Sequence, residues 1–272
     1  MKGTRADVRL VELGLADSRE KARSLIMAGV VFAGGARVEK AGQNLSETQD
    51  LVVKENPVPF VSRGGLKLAK AVQNWDIHLA GAVAADIGAS TGGFTDCMLQ
   101  QGASYVYAID VGYGQLDWRL RNDPRVCAME RTNARNMEPG WFRQPLDFAG
   151  MDVSFISIRL ILSALFQCLH AGALAVTLVK PQFEAGRDKV GKNGVVRDKQ
   201  THLSVLSGCM QHALEAGFQI VGVDFSPITG PKGNIEFLLI LQKGPGERTP
   251  LTWDVLEQRL IQVVNDAHIT LN

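Results

Sequence analysis

Apolar and polar positions along this 272-residue chain follow two rhythms in turn. Near the start Val8, Val11 and Leu15 recur at helical spacing, and Ala22, Leu25 and Ile26 repeat that spacing, with Asp17 or Ser18 placed to cap the second helix. Gly29 stops it. Val30 to Phe32 and Ala36 to Val38 predict a short hairpin around Gly34-Gly35, and Asp50 to Val53 a further strand. Pro57 and Pro59 then break regular structure. Beyond them Leu66, Ala69, Val72 and Gln73 predict another helix. From Gly81 short apolar runs near 82–87, 104–109, 125–129, 147–153 and 173–180 alternate with amphipathic stretches, the pattern of a parallel sheet covered on both faces. The pattern then changes. Phe218 to Phe225 and Ile235 to Leu241 are strand-like runs joined through a turn with Pro227, Gly230, Pro231 and Gly233, short enough for an antiparallel pair. Val255, Leu256, Leu260, Val263 and Val264 mark a last amphipathic helix over 252–268.

These breaks divide the chain into a small α+β domain (1–56), a linker (57–62), an α/β domain (63–244) and a C-terminal extension (245–272) with one helix. One run complicates the division. Leu160 to Val179 contains no Lys, Arg, Asp or Glu over twenty residues, long enough to span a bilayer. Gln167, His170 and Gly172 interrupt it, so the expectation is a helix (157–169), a turn at Gly172 and a buried strand (173–179).

Composition narrows the function classes. The net charge is +1, which does not indicate wholesale polyanion binding, but residues 1–44 carry eight Lys/Arg against five Asp/Glu and residues 180–199 six against three. Cys97, Cys127, Cys168 and Cys209 lie far apart, arguing against zinc and against a disulfide framework; no metal site is expected. The opening MKGTRADVRL lacks the apolar core of a signal peptide, so a cytoplasmic location is expected.

The candidate chemistry begins at AADIGASTGGFTD, residues 84–96: a strand, a glycine-rich loop and the start of a helix. Such glycines let a ligand approach the backbone, and helix-opening amides offer donors to it. The loop lacks the Gly-Lys-Ser/Thr of a P-loop, and its G-x-x-x-G-G order departs from the dinucleotide fingerprint. Asp110 closes the next strand, where an acid accepts hydrogen bonds from ribose hydroxyls, and Asp86 suits a cationic ligand better than a pyrophosphate. The expected ligand is S-adenosylmethionine, held by Asp86, Gly88, Ser90, Gly92, Phe94 and Asp110, with Asn133 near the adenine. Lys67, Asp152, Lys180 and Glu236 form a second set, since parallel strands bring Asp152 and Lys180 to the edge beside the glycine loop and an antiparallel strand reaches it at its start. Basic residues form a third: Arg5, Arg9, Arg19, Lys21, Arg23, Arg37 and Lys40 near the start, Arg63 in the linker region, and Arg187, Lys189 and Lys192 in a glycine-rich segment, all candidates for RNA phosphates.

Two resemblances sharpen these expectations. The pattern R-x-D-x-x-L-V-E-x-G-L-A-x-S-R-E-K-A-x-x-L-I-x-A-G-x-V resembles the S4 RNA-binding domain. Lys67 in SRGGLKL, Asp152 in MDVSF, Lys180 in LVKPQFE and Glu236 in KGNIEF resemble the Lys-Asp-Lys-Glu tetrad of FtsJ-like RNA 2′-O-methyltransferases, and the two units together resemble the TlyA-type enzymes, a family also called hemolysins. The resemblance implies a Rossmann-like class I methyltransferase domain behind an S4 domain. It also implies S-adenosylmethionine as cofactor, ribosomal RNA in ribosomal subunits as partner, no DNA or membrane partner, and a monomer. A non-catalytic RNA binder and a membrane-active hemolysin are the competing readings.

Overall fold

The computed structural model describes residues 3–16, 18–27, 29–54 and 58–271. Asp17, one of the two expected caps, and residues 55–57, where the linker was expected to begin, lie outside the described residues. The chain divides into two compact units, Met1–Arg63 and Gly64–Asn272.

The first unit runs β1 (Thr4–Arg5), α1 (Ala6–Glu12), α2 (Arg19–Met27), β2 (Val31–Ala33), β3 (Ala36–Arg37), β4 (Asn44–Leu45) and β5 (Leu51–Val53). β2 pairs antiparallel with β3 and β5, and β1 with β4. The core gathers Ala6, Leu10, Ala22, Ile26, Val31 and Leu45. This corrects the expected helical face. α1 ends at Glu12, and Gly14 turns the chain at φ +69°, so Leu15 lies beyond the helix and Leu10 is the buried anchor.

The second unit opens with α3 (Gly64–Asn74), β6 (Val83–Ile87), α4 (Gly93–Gln100), β7 (Tyr105–Ile109), α5 (Trp118–Arg121) and β8 (Val126–Met129). It continues with β9 (Leu146–Met151), α6 (Arg159–Cys168), β10 (Leu169–Val179), α7 (Pro181–Glu184) and α8 (Lys199–Glu215). β11 (Phe218–Phe225), β12 (Phe237–Lys243) and α9 (Trp253–Leu271) complete it. The strands form one sheet in the order β11-β12-β10-β9-β6-β7-β8, with β12 antiparallel to both neighbours and the rest parallel. Mixed α/β architecture of this kind is the expected methyltransferase fold.

Register sets up the site. Ile87 pairs with Ile109 on one side and Met151 on the other, while Val179 pairs with Phe237 at the start of β12. Gly88, Asp110, Asp152, Lys180 and Glu236 therefore emerge at one edge of the sheet, the carboxyl edge of its parallel strands. Two details differ from expectation. Glu236 precedes β12 instead of lying within it. β10 begins at Leu169, so Gly172 is no turn ahead of the strand; at φ +83° it accommodates an irregularity inside it, between Leu169 and Leu174. The 160–179 run is thus a helix followed by a strand whose latter half is buried, and no helix among the described residues is long and apolar enough to cross a membrane.

Candidate active site

Four side chains meet at this edge as a chain of alternating charge. Lys67, on the buried face of α3, places Nζ 2.7 Å from Glu236 Oε2 and 3.2 Å from Asp152 Oδ2. The other oxygen of Asp152 lies 2.6 Å from Lys180 Nζ, which also donates to Ser154 Oγ at 2.8 Å. Glu236, Lys67 and Lys180 are buried, so both ammonium groups depend on these carboxylates for the solvation they have lost. Burial works against the charge of Lys67, but Asp152 and Glu236 outweigh it and hold the ammonium above the ordinary lysine range. Asp152 shows the mirror image: burial opposes ionisation, and Lys67 and Lys180 hold it below the ordinary carboxylate range. Lys67 therefore meets two carboxylates, Glu236 alone and Asp152 shared with Lys180, whereas Lys180 meets the shared one and a hydroxyl.

The glycine loop lies directly against this chain. Gly88 has φ +84°, and a Cβ there would sit 2.7 Å from the carbonyl oxygen of Asp152. Gly92, at φ +93°, leads into α4 under the side chains of Leu116 and Leu120. Asp86 is buried and accepts from Thr95 N at 2.8 Å and Thr95 Oγ1 at 2.7 Å, while its Oδ1 has no hydrogen-bond partner among the described residues. Burial pushes this carboxyl up to about 7, against the pull of the Thr95 hydrogen bonds. Asp110 accepts from Ser90 N at 2.8 Å and Gly112 N at 2.7 Å, fixing the two loops that flank it. The donor set fits S-adenosylmethionine: a buried carboxylate oxygen still lacking a partner for a cationic end, a strand-end acid for ribose hydroxyls, and glycines where side chains would close the cradle.

The FtsJ-like methyltransferase model matches residues 60–243, and the S4 domain model matches residues 4–51. The chain belongs to the FtsJ-like methyltransferase family. This methyltransferase is 50% identical over 271 residues to YqxC of Bacillus subtilis (strain 168), named as a candidate rRNA methyltransferase, with 99% of this chain and 96% of that one covered. It is 46% identical over 239 residues to the 16S/23S rRNA (cytidine-2′-O)-methyltransferase TlyA of Mycobacterium tuberculosis (strain ATCC 25618 / H37Rv), over 88% of this chain and 89% of that one. A solved candidate hemolysin from Streptococcus thermophilus has a TM-score of 0.78 at 45% identity, covering 99% of this chain and 97% of that one. The methyl donor of this FtsJ-like enzyme is S-adenosylmethionine, and with its S4 domain the substrate is RNA.

Two of the residues expected at the methyltransferase site have structural partners of their own. Phe94 is buried and packs over Gly150, where a Cβ would lie 2.6 Å from its ring; it is a core side chain holding α4 on β9. Asn133 is exposed and its side chain accepts from Arg135 N at 3.1 Å, capping a short turn. In the S4 unit Arg9 departs from the phosphate-gripping expectation. Its guanidinium is buried and donates to the carbonyls of Ser46, Glu47 and Gln49, so it holds the fold together. Arg5, Arg19 and Arg23 instead fan out from the buried Asp7 at 2.9, 3.0 and 3.3 Å, each about half exposed. Lys21, Arg37, Lys40, Arg63, Arg187, Lys189 and Lys192 are exposed.

Sequence reasoning missed four residues that organise the rest. Thr95 satisfies Asp86, Ser154 satisfies Lys180, and Asp7 gathers the arginines. Glu184 accepts from Ser157 Oγ at 2.6 Å and Ile158 N at 2.8 Å, tying the loop after β9 to the helix after β10. The signals were present in the motifs already singled out: a serine two residues past Asp152 in MDVSF, a glutamate four past Lys180 in KPQFE, an acid amid the arginines of RAD.

Proposed function

We propose that this enzyme methylates the ribose 2′-hydroxyl of cytidine in ribosomal RNA, within ribosomal subunits and hence in the cytoplasm, with Lys180 as general base. The observation that carries the reading is the alternating chain Glu236–Lys67–Asp152–Lys180 at the sheet edge, beside the glycine loop that fits the cofactor. S-adenosylmethionine supplies a methyl group on a sulfonium, an electrophile needing no metal. The difficulty lies with the nucleophile, because a ribose hydroxyl is weak at neutral pH until a base is placed on its proton. Lys180 Nζ, once it has released its own proton to solvent, takes the hydroxyl proton as the uncharged amine, and the ammonium that results is held by Asp152. Asp152 Oδ1 and Ser154 Oγ fix the direction in which the amine lone pair points, while Lys67, kept charged by Glu236 and Asp152, holds Asp152 in place. Asp86 faces the cationic end of the cofactor and Asp110 its ribose, with Gly88, Ser90 and Gly92 forming the cradle between them. Arg5, Arg19 and Arg23, with Lys21, Arg37 and Lys40, grip RNA phosphates.

Lys180→Ala is expected to lower methyl transfer to ribosomal subunits by at least ~10²–10⁴-fold, the usual worth of a positioned base, while the affinity for S-adenosylmethionine stays near the wild-type value. Labelled cofactor and subunits from cells lacking the enzyme provide the assay. Substantial surviving turnover would remove Lys180 from the base role.

A further inference from the structure

Two short segments leave neighbouring parallel strands side by side at the site edge. One is Asp152–Ile158, between β9 and α6; the other is Lys180–Glu184, which follows β10 and forms α7. Lys180 and Glu184 stand one helical turn apart in sequence, a spacing that puts both side chains on one face. That face meets the first segment at two points. Lys180 Nζ holds Asp152 Oδ1 at 2.6 Å and Ser154 Oγ at 2.8 Å. Glu184 accepts from Ser157 Oγ at 2.6 Å and from Ile158 N at 2.8 Å. Between the two grips lies Phe155, 91% exposed and at φ +64°, a left-handed backbone that a bulky residue leaves unless its surroundings hold it. Its ring is not anchored in the core, so the hydrogen bonds on either side do the holding.

Base catalysis by Lys180 calls directly on the first grip alone. We infer that Glu184 is a positioning residue for methyl transfer: by fixing Ser157 and Ile158 it keeps the strained turn at Phe155 in place, and so keeps Ser154 and Asp152 where they direct Lys180. The role needs the two bonds and not the charge. Burial, the largest influence on the Glu184 carboxyl, raises it above the ordinary range against the pull of the bonds from Ser157 and Ile158, so ionisation there is opposed by its surroundings. Glutamine can keep both ties, its amide oxygen accepting from Ile158 N and its NH2 donating to Ser157 Oγ. Alanine keeps neither, and the turn at Phe155 is then free to relax toward ordinary backbone and carry Ser154 Oγ off Lys180. The inference rests on Lys180 as the base, the reading given above.

Methyl transfer from labelled cofactor to ribosomal subunits lacking the modification tests it. Glu184→Ala is expected to lower kcat by about 10–100-fold, the scale of a misplaced reacting group. KM for subunits should stay within about twofold, as should the calorimetric affinity and stoichiometry for S-adenosylmethionine, because Asp86, Asp110 and the arginines around Asp7 take no part in either grip. Glu184→Gln should recover kcat to within about threefold of wild type. Coupling supplies the most direct readout: if Glu184 acts through Ser154, the double variant Ser154→Ala with Glu184→Ala should be no more than about twofold slower than the slower single variant. Wild-type kcat in Glu184→Ala, a glutamine variant as slow as the alanine one, single losses that multiply in the double variant, or a loss of cofactor-binding sites in proportion to kcat would each overturn the inference, with Lys180→Ala still inactive. Turnover surviving in Lys180→Ala would instead overturn the base reading, and this inference with it.

Discussion

Gly88 separates two demands that usually arrive together at a glycine. Its φ of +84° already disfavours any side chain, and a Cβ would also press to 2.7 Å on the Asp152 carbonyl, a backbone atom that cannot swing aside. Gly114 has the first demand without the second, with φ +69° and nothing within 4 Å. Alanine at Gly114 is therefore expected to cost about 1 kcal/mol, the strain of the left-handed backbone alone. Alanine at Gly88 should cost roughly 2–4 kcal/mol, because the loop must also move off Asp152. It should further lower cofactor affinity at least about tenfold, since the loop and the acid at the strand end shift together. Chemical denaturation of the two variants and calorimetric titration with S-adenosylmethionine measure both effects. Equal losses at the two positions would show that loop and strand end do not need to touch.

At the scale of elements, α1 carries arginines with opposite tasks on one short helix and its partner α2. Arg9→Ala leaves the carbonyls of Ser46, Glu47 and Gln49 without their shared donor, and roughly 2–4 kcal/mol of stability of the S4 unit should go with it. Arg23→Ala removes one half-exposed member of the Asp7 cluster and should cost under about 1 kcal/mol. It should instead weaken RNA binding and reduce the salt slope by about one counterion, a difference that unfolding curves and binding at several salt concentrations separate. Sequence pattern could not distinguish these two arginines, because a seven-residue helix offers too few repeats to fix which face is buried. The same limit explains the misplaced face through Val8, Val11 and Leu15. Longer signals were legible. Each parallel strand reads as an apolar run, and the rule that such strands share a carboxyl edge brought Lys180 and Asp152 together before any coordinates did. Phe94 was illegible for a converse reason: its neighbours Gly92 and Gly93 mark the ligand loop, but whether the next ring faces ligand or sheet depends on Gly150, more than fifty residues away. Phe155 hides its exposure likewise, since nothing local marks a phenylalanine held out of the core by Lys180 and Glu184.

Over the whole molecule, the largest piece outside the FtsJ-like and S4 matches is the C-terminal extension, and the catalytic unit fastens it down. α9 buries Leu256, Leu260, Val263, Val264 and Ala267 in the main core, and Arg248 ahead of it donates to the carbonyls of Trp75 and Asp76. The last turns are held differently, by His202 of α8, whose Nδ1 lies 2.9 Å from His268 Nε2. His202 is fully buried, and that burial, with a smaller push from His268, lowers it from an ordinary 6.5 to about 4, while the Val196 backbone and then Asp198 work the other way. His268 is also lowered, by burial and then by Lys199, again opposed by Asp198. A histidine lowered on folding binds its proton more readily in the unfolded chain. The stability it contributes is therefore complete above about 6.5 and is lost as pH falls toward about 4. The full shift corresponds to at most on the order of 3 kcal/mol. Wild-type enzyme should lose stability over that window more steeply than His202→Gln, which cannot take up the proton, and amides of α9 should lose hydrogen-exchange protection before those of the central strands. Parallel stability curves for the two proteins between pH 6.5 and 4 would mean that the histidine pair does not govern how firmly the extension is held in acid.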